Sequence, residues 1–88
     1  MDVQDTVDLG QGHLIEFGRA TWNPEDRSVR NRYPTSTGGF SPRSSSEIPL
    51  LDLEPLAIET ARRDLLSSAA AARIIEALAA SIARQQHE

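Results

Sequence analysis

The chain has 88 residues and a mass of 9.6 kDa, which leaves room for one small domain and excludes a large catalytic core. It contains no cysteine, so disulfides and thiolate metal sites are excluded, and it contains no lysine, so Schiff-base and P-loop lysine chemistry are excluded as well. The net charge of −4 disfavours general binding to nucleic-acid phosphates. The N-terminus is acidic and no apolar run is long enough for a membrane span, so we expect a cytoplasmic protein with no membrane partner.

The first third of the chain predicts a β-hairpin. Residues 1–12 are acidic, contain two glycines and space their apolar side chains widely, which is typical of a loose N-terminal segment. Residues 13–22 and 27–33 both alternate apolar and polar side chains, as half-buried strands do. Asn23-Pro24 between them favours a tight turn, because proline presets the backbone there. We therefore predict an antiparallel hairpin over 13–33.

A polar connection follows the hairpin. Residues 34–52 are rich in proline, glycine and serine, and large apolar side chains are sparse before residue 50. This composition predicts a long loop, with Phe40 and Ile48 as its apolar anchors. Whether residues 34–49 are ordered without a partner stays open.

The last third of the chain predicts helix. Residues 53–86 contain no glycine and a single proline, Pro55, which the first turn of a helix tolerates. Ser67 and Ser68 favour a helix cap over a helix interior, so we predict a helical hairpin broken at these serines. One long C-terminal helix is the alternative, because the apolar stripe runs almost continuously across the serines. The predicted fold class is α+β, α-dominated, in a single small domain over residues 1–88.

Catalytic and metal-binding patterns are sparse. The two histidines, His13 and His87, have no ligand-spaced neighbour, and the chain has no Gly-x-Ser-x-Gly elbow. Gly38-Gly39 lacks the lysine and the spacing of a phosphate-binding loop. We therefore predict that the chain is not an enzyme and binds neither metal nor cofactor.

An arginine-bearing band lies near the second predicted strand. Residues 19–43 carry five arginines against two acids, while the flanking segments are acidic or neutral. Arginine beside aromatic side chains is typical of surfaces that bind acidic proteins or nucleic acids. The predicted partner-binding residues are Arg27, Arg30, Arg32, Tyr33, Phe40 and Arg43.

The helical region carries an amphipathic stripe. Its apolar residues recur at the i, i+3, i+4, i+7 spacing of a helix face that must be covered. A hairpin of strands and a pair of helices leave such a face poorly covered within one chain, so we predict self-association, for example a homodimer, or burial in a larger complex. The predicted stripe consists of Ile58, Leu65, Ala71, Ile74, Ile75, Leu78 and Ile82.

These observations favour a small non-catalytic protein-binding module, an inhibitor or adaptor that acts by steric occlusion or complex bridging. In size and composition alone, the chain resembles the compact anti-defence proteins of phages and mobile elements, anti-CRISPR proteins included, and this resemblance implies a phage or mobile-element origin. The alternative function is a nucleic-acid-binding regulator that uses the arginine-bearing β-ribbon, since a two-stranded ribbon fits a major groove.

Overall fold

The protein combines an antiparallel sheet with helices. The computed structural model describes residues 1–34 and 40–86, with the side chains of 40–44 outside the description. The chain divides into two compact units, Met1–Leu53 and Glu54–Glu88, which we call the sheet unit and the helical unit. The described elements, in order, are β1 (Asp2–Gly10), β2 (His13–Arg19), β3 (Arg27–Pro34), β4 (Phe40–Pro49), a 3₁₀ turn (Leu50–Asp52), α1 (Leu53–Arg62) and α2 (Ser68–Gln86).

The mixed α+β class is confirmed, but the predicted dominance of helix is wrong. The four strands, of 9, 7, 8 and 10 residues, together contain more residues than the two α-helices, of 10 and 19 residues. The four strands form one antiparallel sheet in the order β1-β2-β3-β4. The predicted hairpin is its centre: β2 and β3 pair, and the Asp26 N–H donates to the Asn23 carbonyl at 3.0 Å in the connecting turn.

Two segments that we predicted to lack strands each contain an outer strand of the sheet. Both predictions are wrong. The predicted loose segment 1–12 contains β1, which pairs along β2 from Asp2 with Arg19 to Gly10 with His13. The predicted loop 34–52 contains β4, which pairs with β3, while residues 35–39 lie outside the described residues. Edge strands keep one side in water and tolerate charge and proline, so they lose the alternating apolar pattern on which the prediction depended.

The pairing register gives the sheet one polar and one apolar face. Glu16 stands opposite Arg30 on one face, and Phe17 stands opposite Val29 on the other. Gly18 lies on the polar face where β1 shifts its register between Val3 and Asp5. A Cβ on Gly18 would come within 2.0 Å of the Asp2 carbonyl oxygen, so only glycine fits beneath this bulge.

The end of α1 and the start of α2 are each fixed by an identifiable hydrogen-bonding motif. α1 ends at Arg62 because Asp64 adopts a left-handed conformation, with the Asp64 N–H bonded to Ala61 and the Leu65 N–H bonded to Thr60. This is a Schellman motif, and it ends α1 several residues before the serines at which we predicted the break. The predicted serine cap is confirmed: the Ser67 hydroxyl accepts the N–H of Ala70 at 3.1 Å at the start of α2.

The predicted helical hairpin is wrong as a packed pair. Contacts between α1 and α2 are sparse, and no residue of either helix is buried. Most helical residues belong to a single long helix, α2, which the shorter α1 precedes. Five residues, 63–67, connect the two helices and contain the Schellman motif and the serine cap. The two helices do not pack closely against each other.

Candidate functional site

An ion-pair cluster occupies the polar face of the sheet. Glu16 is 95 % buried by accessible area, with 5 % of its surface exposed. The Arg30 Nε donates to Glu16 Oε1 at 2.8 Å, and the Arg32 Nη1 donates to Glu16 Oε2 at 3.4 Å. The spacing is set by register, since Glu16 pairs directly with Arg30 and Arg32 follows two residues later on the same face. Two of the predicted partner-binding arginines are therefore engaged inside the sheet unit.

The cluster tunes the acidity of its carboxylate. Burial of Glu16 raises its pKa, but the hydrogen bond and charge of Arg30, together with the charge of Arg32, outweigh burial and hold the pKa below its ordinary value of 4.5. The carboxylate consequently stays ionised at neutral pH and keeps both arginines in place. This arrangement suits a structural tie between strands.

The other predicted ribbon residues are dispersed. Arg27 is exposed and pairs in register with Arg19 at the end of the sheet. Tyr33 stacks on His13, with ring centroids 4.3 Å apart and an angle of 12° between the rings. The backbone places Phe40 and Arg43 in β4, and their side chains lie outside the described part of the chain.

A second polar cluster, centred on Glu47, has no counterpart in the sequence analysis. The Glu47 carboxylate accepts the Thr21 N–H at 2.9 Å, the Thr21 hydroxyl at 2.6 Å and the buried Ser28 hydroxyl at 2.8 Å. Burial raises the pKa of Glu47, but the hydrogen bonds from Thr21 and Ser28 outweigh it and lower the pKa below 4.5. His13 lies on the opposite face of the sheet by register, so its imidazole does not approach the Ser28 hydroxyl. The pairing of β3 with β4 assembles this cluster, and no local pattern in the chain signals it.

The helical unit presents a continuous apolar surface. The large apolar side chains on both helices, together with Leu65 in their connection, are between 40 and 71 % exposed. Of the predicted stripe, Ile58 lies in α1, Leu65 in the connection and the remaining members in α2. The large members of the predicted stripe are therefore exposed on the helical unit, and Leu56 joins them. The exposed large side chains of this surface are Leu56, Ile58, Leu65, Ile74, Ile75, Leu78 and Ile82.

A groove runs between α1 and α2 on this surface. All eight side chains that line it are apolar, and three of them are alanines. Small side chains let another helix approach closely. The groove is lined by Ala57, Ile58, Ala61, Leu66, Ala71, Ile74, Ile75 and Leu78.

A smaller patch lies at one end of the sheet unit. Trp22 is 49 % exposed and Leu51 is 86 % exposed, and both line a shallow cleft with Pro49 and Arg27. The Trp22 indole N–H donates to Asp26 at 3.2 Å, which holds the ring beside a charged rim. Exposed tryptophan beside arginine is typical of the residues that dominate protein interfaces. We call these residues the tryptophan patch.

Neither a metal centre nor a membrane span emerges from the described part of the chain. Residues 1–34 and 40–86 bring no three histidine or acidic side chains together in a cation-binding group. Among the described helices, none has both the length and the hydropathy that crossing a bilayer requires. Comparison with protein-family models, with curated proteins and with solved structures finds no match to this chain.

Proposed function

We propose that this chain is a small non-catalytic protein-binding module, an adaptor or inhibitor that works by occluding or bridging its partners. The observation that carries the proposal is the uncovered apolar surface of the helical unit, where neither helix buries a residue. Folded monomers rarely leave a contiguous apolar patch of this kind in water, and such patches mark interaction sites.

The driving force for covering this surface is substantial. Full burial of an aliphatic side chain is worth about 1.5–3 kcal/mol. Ile75 and Leu78 are 65 % and 56 % exposed, so each has about half of that stabilisation, on the order of 1 kcal/mol, still to gain from a partner. Seven such side chains together supply on the order of 7 kcal/mol. This offsets a large part of the entropic cost of association, which is about 4–15 kcal/mol.

The tryptophan patch supplies a second surface for bridging. It belongs to the sheet unit, whereas the apolar groove belongs to the helical unit. A module with one binding surface on each unit has the construction of an adaptor. Arg27, predicted as a partner-binding residue, lies on the rim of this patch.

The charge distribution supports protein over nucleic acid as the partner. Arg30 and Arg32 are committed to the buried Glu16, and the chain as a whole carries −4. A phosphate backbone attracts proteins through a field of uncommitted positive charge.

Affinity capture with matched variants tests the proposal. Leu78→Asp places a carboxylate in the apolar surface, whereas Ala80→Asp places the same carboxylate on the far side of α2. We expect proteins captured from the native host by the wild type to be retained by Ala80→Asp and lost with Leu78→Asp. Equal capture by all three chains would overturn the assignment of this surface as the binding site.

A further inference from the structure

We infer that a second copy of this chain covers the apolar face of α2, with the two α2 helices side by side and parallel. The inference rests on the proposed function, because it names the partner that the same surface takes. The face in question consists of Ala71, Ile75, Leu78 and Ile82, which we call the α2 seam.

The spacing of the seam is that of a two-stranded helical interface. Its members follow one another at intervals of four, three and four residues, which is the a/d pattern of a heptad repeat. Ile75 and Ile82 occupy the a positions and Leu78 a d position. β-branched residues at a with leucine at d favour two parallel strands. Ser68 and Gln85 continue the repeat at the two ends of the helix.

The flanks of the seam favour an identical partner. Positions e and g beside it carry Ala72, Ala79, Ile74 and Ser81, none of them charged. The charged residues of α2 lie outside a, d, e and g, so two identical helices meet without like charges facing each other. A different partner chain would find no charge pattern here by which to be selected.

The groove between α1 and α2 gives the second helix space beside the seam. Ile75 and Leu78 line both the groove and the seam, while Ala57 and Ala61 of α1 form the opposite wall. The partner's α2 therefore contacts α2 and the small side chains of α1 together. The result is a four-helix arrangement in which each copy presents the same surface to the other.

Sedimentation equilibrium tests the identity of the partner. We expect the purified wild type and Ala80→Asp to have twice the mass of the 9.6 kDa chain, and Leu78→Asp to have the mass of one chain. Circular dichroism, which reports on helix content, shows whether the helical unit of each variant is folded. A folded wild type that stays monomeric at high micromolar concentration overturns the second copy as partner. The proposed function survives that result if host-protein capture still depends on Leu78.

Cysteine cross-linking tests the parallel arrangement, and the chain contains no cysteine to interfere. In a parallel pair, Ser68→Cys brings two thiols together at one end of the seam and Gln85→Cys brings two together at the other. We expect both variants to oxidise to covalent dimers at rates that fall on dilution below the dissociation range, and Ala80→Cys, on the far side of α2, to remain uncross-linked. A dimer in which neither end variant cross-links overturns the parallel pairing.

Discussion

Replacing Glu16 by glutamine tests how much the ion-pair cluster stabilises the sheet unit. The substitution keeps the size of the side chain and removes its charge. Arg30 then loses a charged acceptor at 2.8 Å and Arg32 a more distant one at 3.4 Å. The side chains of Arg30 and Arg32 are only 18 % and 32 % exposed, so water replaces the lost interaction incompletely.

The geometry sets the magnitude of the loss. Breaking a fully buried ion pair costs about 3–5 kcal/mol, and a hydrogen bond to a charged group is worth about 1.5–3 kcal/mol. The partial exposure of both arginines and the amide that remains to accept a hydrogen bond reduce the cost to about 2–3 kcal/mol. A chain of this size has a free energy of unfolding of about 4–13 kcal/mol, so the expected loss is a large part of the total.

The assay is urea unfolding followed by the fluorescence of Trp22, the single tryptophan, which lies in the sheet unit. Glu59→Gln is the matched control. Glu59 also pairs with two arginines, Arg62 at 2.8 Å and Arg63 at 2.7 Å, but these groups are about half or more exposed. Exposed pairs are worth less than about 1 kcal/mol, so circular dichroism should show little loss of helix stability in the control.

Two results would refute this reasoning. The first is a Glu16→Gln variant whose unfolding midpoint equals that of the wild type. The second is an equal loss of stability in the two variants, which would mean that burial does not strengthen the pair. Either result would place the stability of the sheet unit elsewhere.

Three further predictions follow from the polar contacts. The pKa values of Glu16 and Glu47 are held below 4.5 in the folded chain, so their contribution to the stability of the sheet unit is complete above about pH 4.5 and is lost as the pH falls through the lowered values. An acid titration followed by tryptophan fluorescence should show the sheet unit unfolding in that pH range. Gly18→Ala should destabilise β1 by about 1–3 kcal/mol through contact with the Asp2 carbonyl, seen as faster amide exchange in β1, and unchanged exchange would refute the close approach. Ser67→Ala should remove the α2 cap and cost about 1 kcal/mol in thermal melts followed by circular dichroism, whereas an unchanged melt would mean that the capping bond contributes nothing.

The sequence predicted the elements whose own side chains carry a periodic signal. The hairpin of β2 and β3 alternates apolar and polar residues, and α2 repeats its apolar residues at helical spacing, so both were found close to their observed bounds. β1 and β4 were missed because their order comes from backbone pairing with a neighbour and not from their own side chains. Asp64 likewise ends α1 in a left-handed conformation that glycine more often adopts, which left no composition signal.

The candidate surfaces also differ in whether a local sequence pattern or the pairing of strands determines them. The apolar stripe was predictable, because the helical spacing of apolar residues can be read from the local sequence alone. The commitment of Arg30 and Arg32 to Glu16 was not, because it depends on the register between two strands, and a shift of one residue would send these side chains to the opposite face. Sequence reasoning therefore placed the arginines in a partner-binding band, whereas in the structure their hydrogen bonds to Glu16 tie β2 to β3.

The edges of the sheet and the apolar face of the helical unit differ in how favourably a second copy of the chain can pack against them. β1, at one edge of the sheet, carries Asp2, Asp5 and Asp8, so two such edges brought together would place like charges side by side. β4, at the other edge, includes Pro42 and Pro49, which have no N–H to donate to a neighbouring strand. Both edges thus oppose strand-to-strand association. The helical unit has the reverse character, because its charges lie away from the seam and its apolar side chains remain exposed. If two copies associate through α2 as we propose, the character of the sheet edges opposes growth of the assembly beyond two chains.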